Sequence, residues 1–281
     1  MQRSEYRSDS FKVTYTVEEK APHPTIPHEY YNDTYAITII IQGEGNCSVE
    51  GNVYNLGGGD IILVSTDEIC CFKICSAGYH ERISLYFTNS LLLPFVDYAL
   101  PLMKLFTNRP LGTANKYSFA LHDTERVKML VEQIKTLAQQ SVEPINTAKL
   151  HLLIIEFLFW IYECGESGGS HETQSATDYT VFRICEYIKN NLKNPLTYEE
   201  LIQNLNITRY QLTDVFVRNM GITLNEYITR KRMSRAISLV RGGSGIETAA
   251  YEAGFNTYSY FYKKFLKHYK VSPREFFKSS L

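Results

Sequence analysis

The chain has 281 residues, room for two domains or three. With 44% apolar and 21% charged residues it lies near the globular average, which excludes a wholly disordered, collagen-like or coiled-coil chain. The net charge of −1 conceals an asymmetry: residues 1–178 carry 13 Lys+Arg against 22 Asp+Glu, and residues 179–281 carry 16 against 8. An acidic two-thirds joined to a basic third points to a polyanion-binding module on an otherwise ordinary domain. Six cysteines are too few for a disulfide scaffold. The longest apolar run, Leu150 to Tyr162, is interrupted by His151 and Glu156 and is short for a bilayer. No charged-then-apolar leader opens the sequence, so a reduced, cytoplasmic protein without a membrane partner is expected.

Residues 1–20 are polar and mixed and read as an arm or an edge strand. From Tyr35 to Phe87, short β-branched or aromatic runs are separated by Gly, Asn and Asp. The expected strands are TYAITIIIQ, CSVE, VYNL, IILVS, CCFKI and ERISLYF, with a tight hairpin turn at Gly51-Asn52 and another turn over Gly57 to Asp60. Strands this short, with no helix between them, predict a small antiparallel barrel or sandwich. From Asp123 the period changes, and Val127, Leu130, Val131, Ile134 and Leu137 form an amphipathic helical stripe. Pro144 opens a second helix that reaches about Glu163. Its segment LLIIEFLFWIY is apolar nearly all round, which predicts burial on more than one side, under its own domain or under another subunit. Cys164 to Asp178 is rich in Gly, Ser and Thr, lacks apolar periodicity and reads as a linker, and the charge changes sign at the same place.

The basic third repeats one arrangement. Ile184, Tyr187 and Ile188 mark a first helix. Thr197 and Glu200 have capping-box spacing at the start of LTYEELIQNL, Asn206 suits a left-handed helix end, and Thr208 caps RYQLTDVFVRNM. This helix–turn–helix of about twenty residues has the size of a DNA-reading unit. A second unit follows: IETAAYEA, a turn at Gly254, then NTYSYFYKKFLKHY. Between them runs one long helix, from Thr223 to about Val240, whose length suits two reading helices about one DNA turn apart. Exposed positions near the start of the reading helices are Arg209, Tyr210, Thr213 and Asp214 in the first and Tyr258, Ser259, Tyr262 and Lys263 in the second. Leu212, Val215, Phe216, Phe261 and Phe265 are expected to face the core. Arg218, Lys231, Arg232, Lys264 and Lys267 are the phosphate candidates.

Residues 184–278 resemble the AraC/XylS family of bacterial transcription regulators. GFNTYSYFYKKF followed by VSPREFF carries the most specific part of the likeness, and LTYEELIQNLNITRYQLTDVF, MGITLNEYI and KRMSRAISLV fall at family-like positions. The resemblance implies base contacts by Tyr210, Thr213, Asp214, Tyr258, Ser259 and Lys263. The sequence departs from the family at Ile202, Asn206 and Lys270, which stand where a small residue, a glycine and a glycine are usual. IIIQGEGNCSVEGNVYNLGGGDIILVSTDEICCF resembles, more weakly, the cupin-type effector domain common in this family. By that resemblance Gln42, Phe72, Arg82 and Ser84 match pocket positions. Tyr86 joins them because Arg82, Ser84 and Tyr86 alternate onto one face of their strand. Polar and aromatic groups in such a pocket suit a sugar-like effector.

The resulting expectation is a multidomain α+β protein. A cupin-like antiparallel β-barrel occupies residues 1–122, a helical dimerisation segment 123–163, a linker 164–178, and an all-α domain of two helix-turn-helix units joined by a long helix 179–281. Expected partners are promoter DNA, a small-molecule effector, a second copy of the chain and, for an activator, RNA polymerase. No cofactor is expected. The segment Thr34 to Phe72 has no histidine, His23 and His28 lie before it, and Cys71 and Cys75 have no second pair, so neither a cupin metal triad nor a zinc spacing is present. A cupin metalloenzyme with an accessory helical domain, and a DNA-binding protein that answers to no effector, stand as alternatives. Phosphate-loop, H-E-x-x-H and G-x-S-x-G motifs are absent.

Overall fold

Period-two alternation governs the first third of the chain, broken by one bulge in its third strand. In the β-strands β1 (Gln2–Arg7), β2 (Phe11–Lys20), β3 (Tyr35–Gln42), β4 (Gly45–Val49), β5 (Asn52–Leu56), β6 (Asp60–Val64), β7 (Cys70–Ile74) and β8 (Gly78–Phe87), side chains point alternately to two faces. The computed structural model describes residues 2–20, 34–74, 78–107, 109–118, 124–165 and 176–278. The chain divides into two compact units, Met1–Gln174 and Ser175–Leu281.

The first unit holds two antiparallel sheets. The larger has the order β1-β2-β8-β3-β6-β9, where β9 is Lys116–Ser118, and the smaller has the order β5-β4-β7. One face of the large sheet, with Val13, Tyr15, Ile37, Ile39, Ile83, Leu85 and Phe87, forms the main core with helices α1 (Val96–Thr107), α2 (Thr124–Ala138) and α3 (Pro144–Gly165). Its other face sets Ile40, Ile62 and Val64 against Cys47, Val49, Tyr54, Leu56 and Cys70 of the small sheet. The unit is therefore three layers, and no strand pairing joins the two sheets among the described residues.

Several expectations change here. Residues 2–20 are a hairpin in which only β1 is an edge strand, while β2 lies between β1 and β8. The β4–β5 turn is Glu50-Gly51, one residue earlier than expected: Val49 pairs with Asn52, and φ is 50° at Glu50 and 87° at Gly51. A left-handed glutamate is tolerated because its carboxylate accepts the Ile69 amide at 2.6 Å. A 3₁₀ turn at Asn89–Phe95, helix α1 and strand β9 were not foreseen. Pro94 and Pro101 interrupt the helical pattern there, and three residues are too few to show a strand period.

The α2 stripe is buried as its spacing predicts, at Val127, Leu130, Val131 and Ile134. Helix α3 buries Leu150, Ile154, Phe157, Leu158 and Ile161 against the sheet, but Leu152 is 61% exposed, so one stripe is uncovered in this chain. Pro144–Glu163 has the length and apolar content of a membrane span, longer than the run read from the sequence, yet its packing is that of a core helix.

The second unit is helical: α4 (Ala176–Asn190), α5 (Tyr198–Leu205), α6 (Phe216–Met220), α7 (Leu224–Arg241), α8 (Ile246–Glu252), α9 (Tyr258–Tyr269) and α10 (Pro273–Lys278). Met233, Ala236 and Ile237 of α7 pack with Ala250, Phe255, Phe261, Phe265 and Phe277. Ala249 and Ala250 are fully buried, where any larger side chain would hold the helices apart.

Candidate nucleic-acid interface and ligand cleft

In the first helix-turn-helix, Thr197 accepts the Glu200 amide at 3.2 Å, and Asn206 ends α5 with φ at 51°. The Glu200 carboxylate bonds the Tyr187 hydroxyl, so the expected capping box is formed from the threonine side. A reciprocal box does form at the start of the next helical segment. Gln211 N donates to Thr208 Oγ1 at 3.3 Å, and Thr208 N donates to Gln211 Oε1 at 2.7 Å. The reading segment then departs from a plain α-helix: Gln211–Val215 is a π turn, with the Phe216 amide donating to the Gln211 carbonyl. The wider turn buries Leu212, Phe216 and Asn219 and leaves Val215 half-exposed, where core packing had been expected.

On the outer face, Arg209 and Tyr210 are exposed. The Arg209 guanidinium lies 5.5 Å from the Tyr198 ring centre and 3.9 Å from Glu199, and Arg218 lies 5.8 Å from the ring of Tyr210. Thr213 is half-buried, and its hydroxyl is 2.6 Å from the exposed Asp214 carboxylate. The four positions are brought together, but several of their charges are matched within the unit.

The second helix-turn-helix turns at Gly254, where φ is 103°. Thr257 caps α9 by accepting the Tyr260 amide at 3.2 Å. Ser259, Tyr262, Lys263 and Lys267 are exposed along α9, Tyr258 and Lys264 are half-buried, and Phe261 and Phe265 face the core. The rings of Tyr258 and Tyr262 are 6.3 Å apart, and burial raises the Tyr258 pKa. Tyr260 is also exposed on α9, with Lys264 5.4 Å from its ring centre; it was missed because it falls between the positions chosen by helical spacing. Lys270 takes the left-handed C-cap position, φ 63°, where the family pattern has glycine.

Two phosphate candidates lie elsewhere. Lys231 is 6% exposed, with its ammonium 5.8 Å from the Tyr227 ring centre. Arg232 donates from Nε to the Leu192 carbonyl and from Nη2 to the Asn194 carbonyl, both at 2.9 Å, and burial lowers its pKa. Both belong to the packing of α7 against the rest of the unit, because α7 presents these positions inward.

In the first unit, Gln42, Phe72 and Arg82 line a cleft of about 40 Å³ together with Gly43, His80 and Glu81. A β-bulge between Ile40 and Gln42 sets Gln42 opposite Glu81. Ser84 and Tyr86 do not line this cleft. They lie deeper between the sheets, with Ser84 3.1 Å from the Thr38 hydroxyl, and burial raises the Tyr86 pKa.

A row the sequence reading missed sits beside them. Lys12, Thr14 and Thr16 pair in register with Tyr86, Ser84 and Arg82 and share their face. Lys12 is 3.0 Å from Glu5, and Arg82 is 3.0 Å from Glu18. The Thr14 hydroxyl is buried and has no hydrogen-bond partner among the described residues. Period-two alternation in FKVTYTVE was the available signal.

Among the described residues, no group of three or more His, Cys, Asp or Glu could hold a metal ion. His23, His28 and Cys75 lie outside the described residues. Cys47 and Cys70 meet at 2.9 Å between their sulfurs. Burial pushes both thiols up, and Cys71 to about 12, which keeps them protonated.

An AraC-like ligand-binding-domain model matches residues 17–155, and a helix-turn-helix-domain model matches residues 201–279. The chain belongs to the AraC family of transcription regulators. It is 24% identical over 259 residues to the lactose operon transcription activator of Staphylococcus xylosus, covering 89% of this chain and 88% of that protein. To the HTH-type transcriptional activator RhaS of Klebsiella pneumoniae it is 20% identical over 284 residues, covering 96% and 95%. A crystal structure of ToxT from Vibrio cholerae aligns with 96% of this chain and 97% of that one, at 18% identity and a TM-score of 0.40. The AraC-family chain is thus a regulator with a ligand-binding and a helix-turn-helix domain, and not the metalloenzyme of the alternative reading.

Proposed function

We propose that this regulator is an activator that binds promoter DNA as a dimer and answers to a small, uncharged, polyhydroxylated effector. The observation that carries the effector class is the balanced polar row on the face of the large sheet turned away from the helices. Each cation there is matched by a carboxylate, Lys12 by Glu5 and Arg82 by Glu18, and the Thr14, Thr38 and Ser84 hydroxyls lie alongside. A sugar hydroxyl both donates and accepts, so such a face suits it, whereas an anion would meet the two carboxylates. Gln42 and Phe72 extend the site through the cleft with a hydrogen-bonding amide and a stacking ring. The likeness to a lactose operon activator makes lactose the first compound to test.

On DNA, Tyr258, Ser259, Tyr262 and Lys263 of α9 read base edges. Arg209, Tyr210, Thr213 and Asp214 form the corresponding set in the first unit. Arg218, Lys264 and Lys267 hold phosphates. The relatives' names support activation, and with it a contact to RNA polymerase. The α2–α3 surface supports a homodimer. Leu152, Ile145 and Met129 are exposed there, and a groove between the helices is flanked by Glu132 on α2 and Lys149 on α3, which a two-fold axis would bring together across copies.

Genome-wide footprinting in the protein's own cells tests the reading. Promoter sites with two short motifs about one helical turn apart are expected. Footprints lacking any shared motif, with and without sugar-grown cells, would refute it.

A further inference from the structure

Glu81 belongs to two places at once. It lines the cleft beside Gln42, His80 and Arg82, and its carboxylate reaches to the helix side of the large sheet. There Oε1 accepts from the Tyr15 hydroxyl at 2.8 Å and lies 2.7 Å from Lys135 Nζ on α2. The Lys135 ammonium is also 5.2 Å from the Tyr15 ring centre, so the three groups form one cluster. The remaining sheet-facing side chains of α2, Val127, Val131, Ile134 and Ala138, are apolar. Apolar packing tolerates small sliding, whereas a charge-assisted pair at 2.7 Å fixes the position of both partners. The β-bulge at Ile40–Gln42 lies directly opposite Glu81, and bulged strands are where a ladder yields locally. A group entering the cleft therefore presses on the strand position that grips α2.

We propose that Glu81 is a positioning residue that transmits occupancy of the cleft to α2, through Tyr15 and Lys135. The proposal rests on the cleft being part of the effector site. Occupancy shifts the Glu81 carboxylate, Lys135 follows it, and α2 changes its seating on the sheet next to α3. The consequence is a change at the helical surface assigned above to the second copy.

The test needs no effector, so failure of the effector reading and failure of this one are separable. In the full chain, the cleft is perturbed from within by Gly43→Ala, whose added methyl would overlap the His80 ring. Phe72→Leu, which opens the cleft instead, is the second perturbation. Amide hydrogen exchange is read over α2, alongside the emission of Trp160 on α3, the only tryptophan in the chain. Each cleft variant is expected to change exchange in the α2 segment around Lys135 by about 3- to 10-fold, a modest inter-site coupling. In a Lys135→Met background, which keeps the unbranched stem, the α2 change should vanish while β8 amides still respond. Glu81→Gln is the alternative background and should behave alike. An α2 response of equal size with and without Lys135 would overturn the proposal. So would the absence of any α2 response to both cleft variants.

Discussion

Gly254→Ala is expected to dismantle the second helix-turn-helix while leaving the first unit intact. Two independent terms act at this position. Gly254 has φ at 103°, which an L side chain adopts at a cost of about 1–2 kcal/mol. A Cβ there would also overlap the Leu192 carbonyl oxygen and lie 2.8 Å from Arg232 Nε. Neither obstacle can swing aside. The first is backbone, and the second is an arginine held by the same Leu192 carbonyl and by the Asn194 carbonyl. Relief requires breaking those bonds at about 1–3 kcal/mol, or moving α8 off α7 at about 1–3 kcal/mol of lost packing. Together the terms give a loss of about 2–5 kcal/mol. That is on the order of a third of the stability of a domain this size, and about 10–25 °C in melting temperature. Helical circular dichroism of the full chain should show an early transition, with DNA binding lost at the growth temperature. Trp160 lies in the other unit, and its unfolding transition should not move. A variant that melts with the wild type and binds DNA equally well would refute the reasoning, because the turn would then tolerate a Cβ that the geometry forbids.

Lys263→Ala should cost about 1–3 kcal/mol and relax preference at one base position, whereas Lys267→Ala should weaken all sequences alike and lower the salt slope by about 1. Fluorescence anisotropy with an operator and its single-base variants at several salt concentrations distinguishes them. Arg232→Ala should lower thermal stability without changing the salt slope of the folded protein, because its guanidinium binds carbonyls of the unit; a slope reduced by about 1 would return it to the phosphate set. His268 is pushed down to about 4 by burial and then by nearby Arg230, from an ordinary value of 6.5. The folded state then binds fewer protons than the unfolded one between these values, so stability should fall as pH drops from about 6.5 to 4. His268→Gln should remove a loss on the order of 1–3 kcal/mol from a urea-denaturation pH series, and identical pH profiles would sink the assignment.

What was legible from sequence was local in origin. Thr197, Asn206, Thr208 and Gly254 act on residues three or four positions away, and the structure uses each as a cap or turn. The long helix expected to start at Thr223 does start there, with Thr223 as its cap. Arg232 was misplaced for the opposite reason. Its direction depends on the turn that follows α4, so its decisive partner is a carbonyl 40 residues away. The polar row of β2 was missed because its neighbour is β8, about 70 residues on in the chain. Read alone, FKVTYTVE is half apolar and half polar; only pairing with β8 places its polar half on the face of the large sheet that carries Arg82, Ser84 and Tyr86. Val215 shows a third kind of limit, since helical spacing assumes 3.6 residues per turn and the π turn at Gln211–Val215 breaks that assumption.

The two reading helices are consequently unequal, and the inequality has a mechanistic direction. In the first, Arg209 is engaged by Tyr198 and Glu199, Arg218 by Tyr210, and Asp214 adds a negative charge held by Thr213. Opening those contacts on DNA offsets part of what a phosphate would return, and the aspartate is repelled by the backbone wherever it does not meet an amino group of cytosine. The second helix presents Lys263 and Lys267 on its exposed face. Phosphate attraction should therefore concentrate on α9, and on the proposed reading its base contacts through Tyr258, Ser259, Tyr262 and Lys263 carry most of the sequence preference. The first unit would then add a single condition, favouring those sites where a cytosine amino group can satisfy Asp214. Asp214→Ala should accordingly relax preference at one position of the first half-site and leave preference over the α9 half-site unchanged in the same anisotropy series, and a change over the α9 half-site would refute this division.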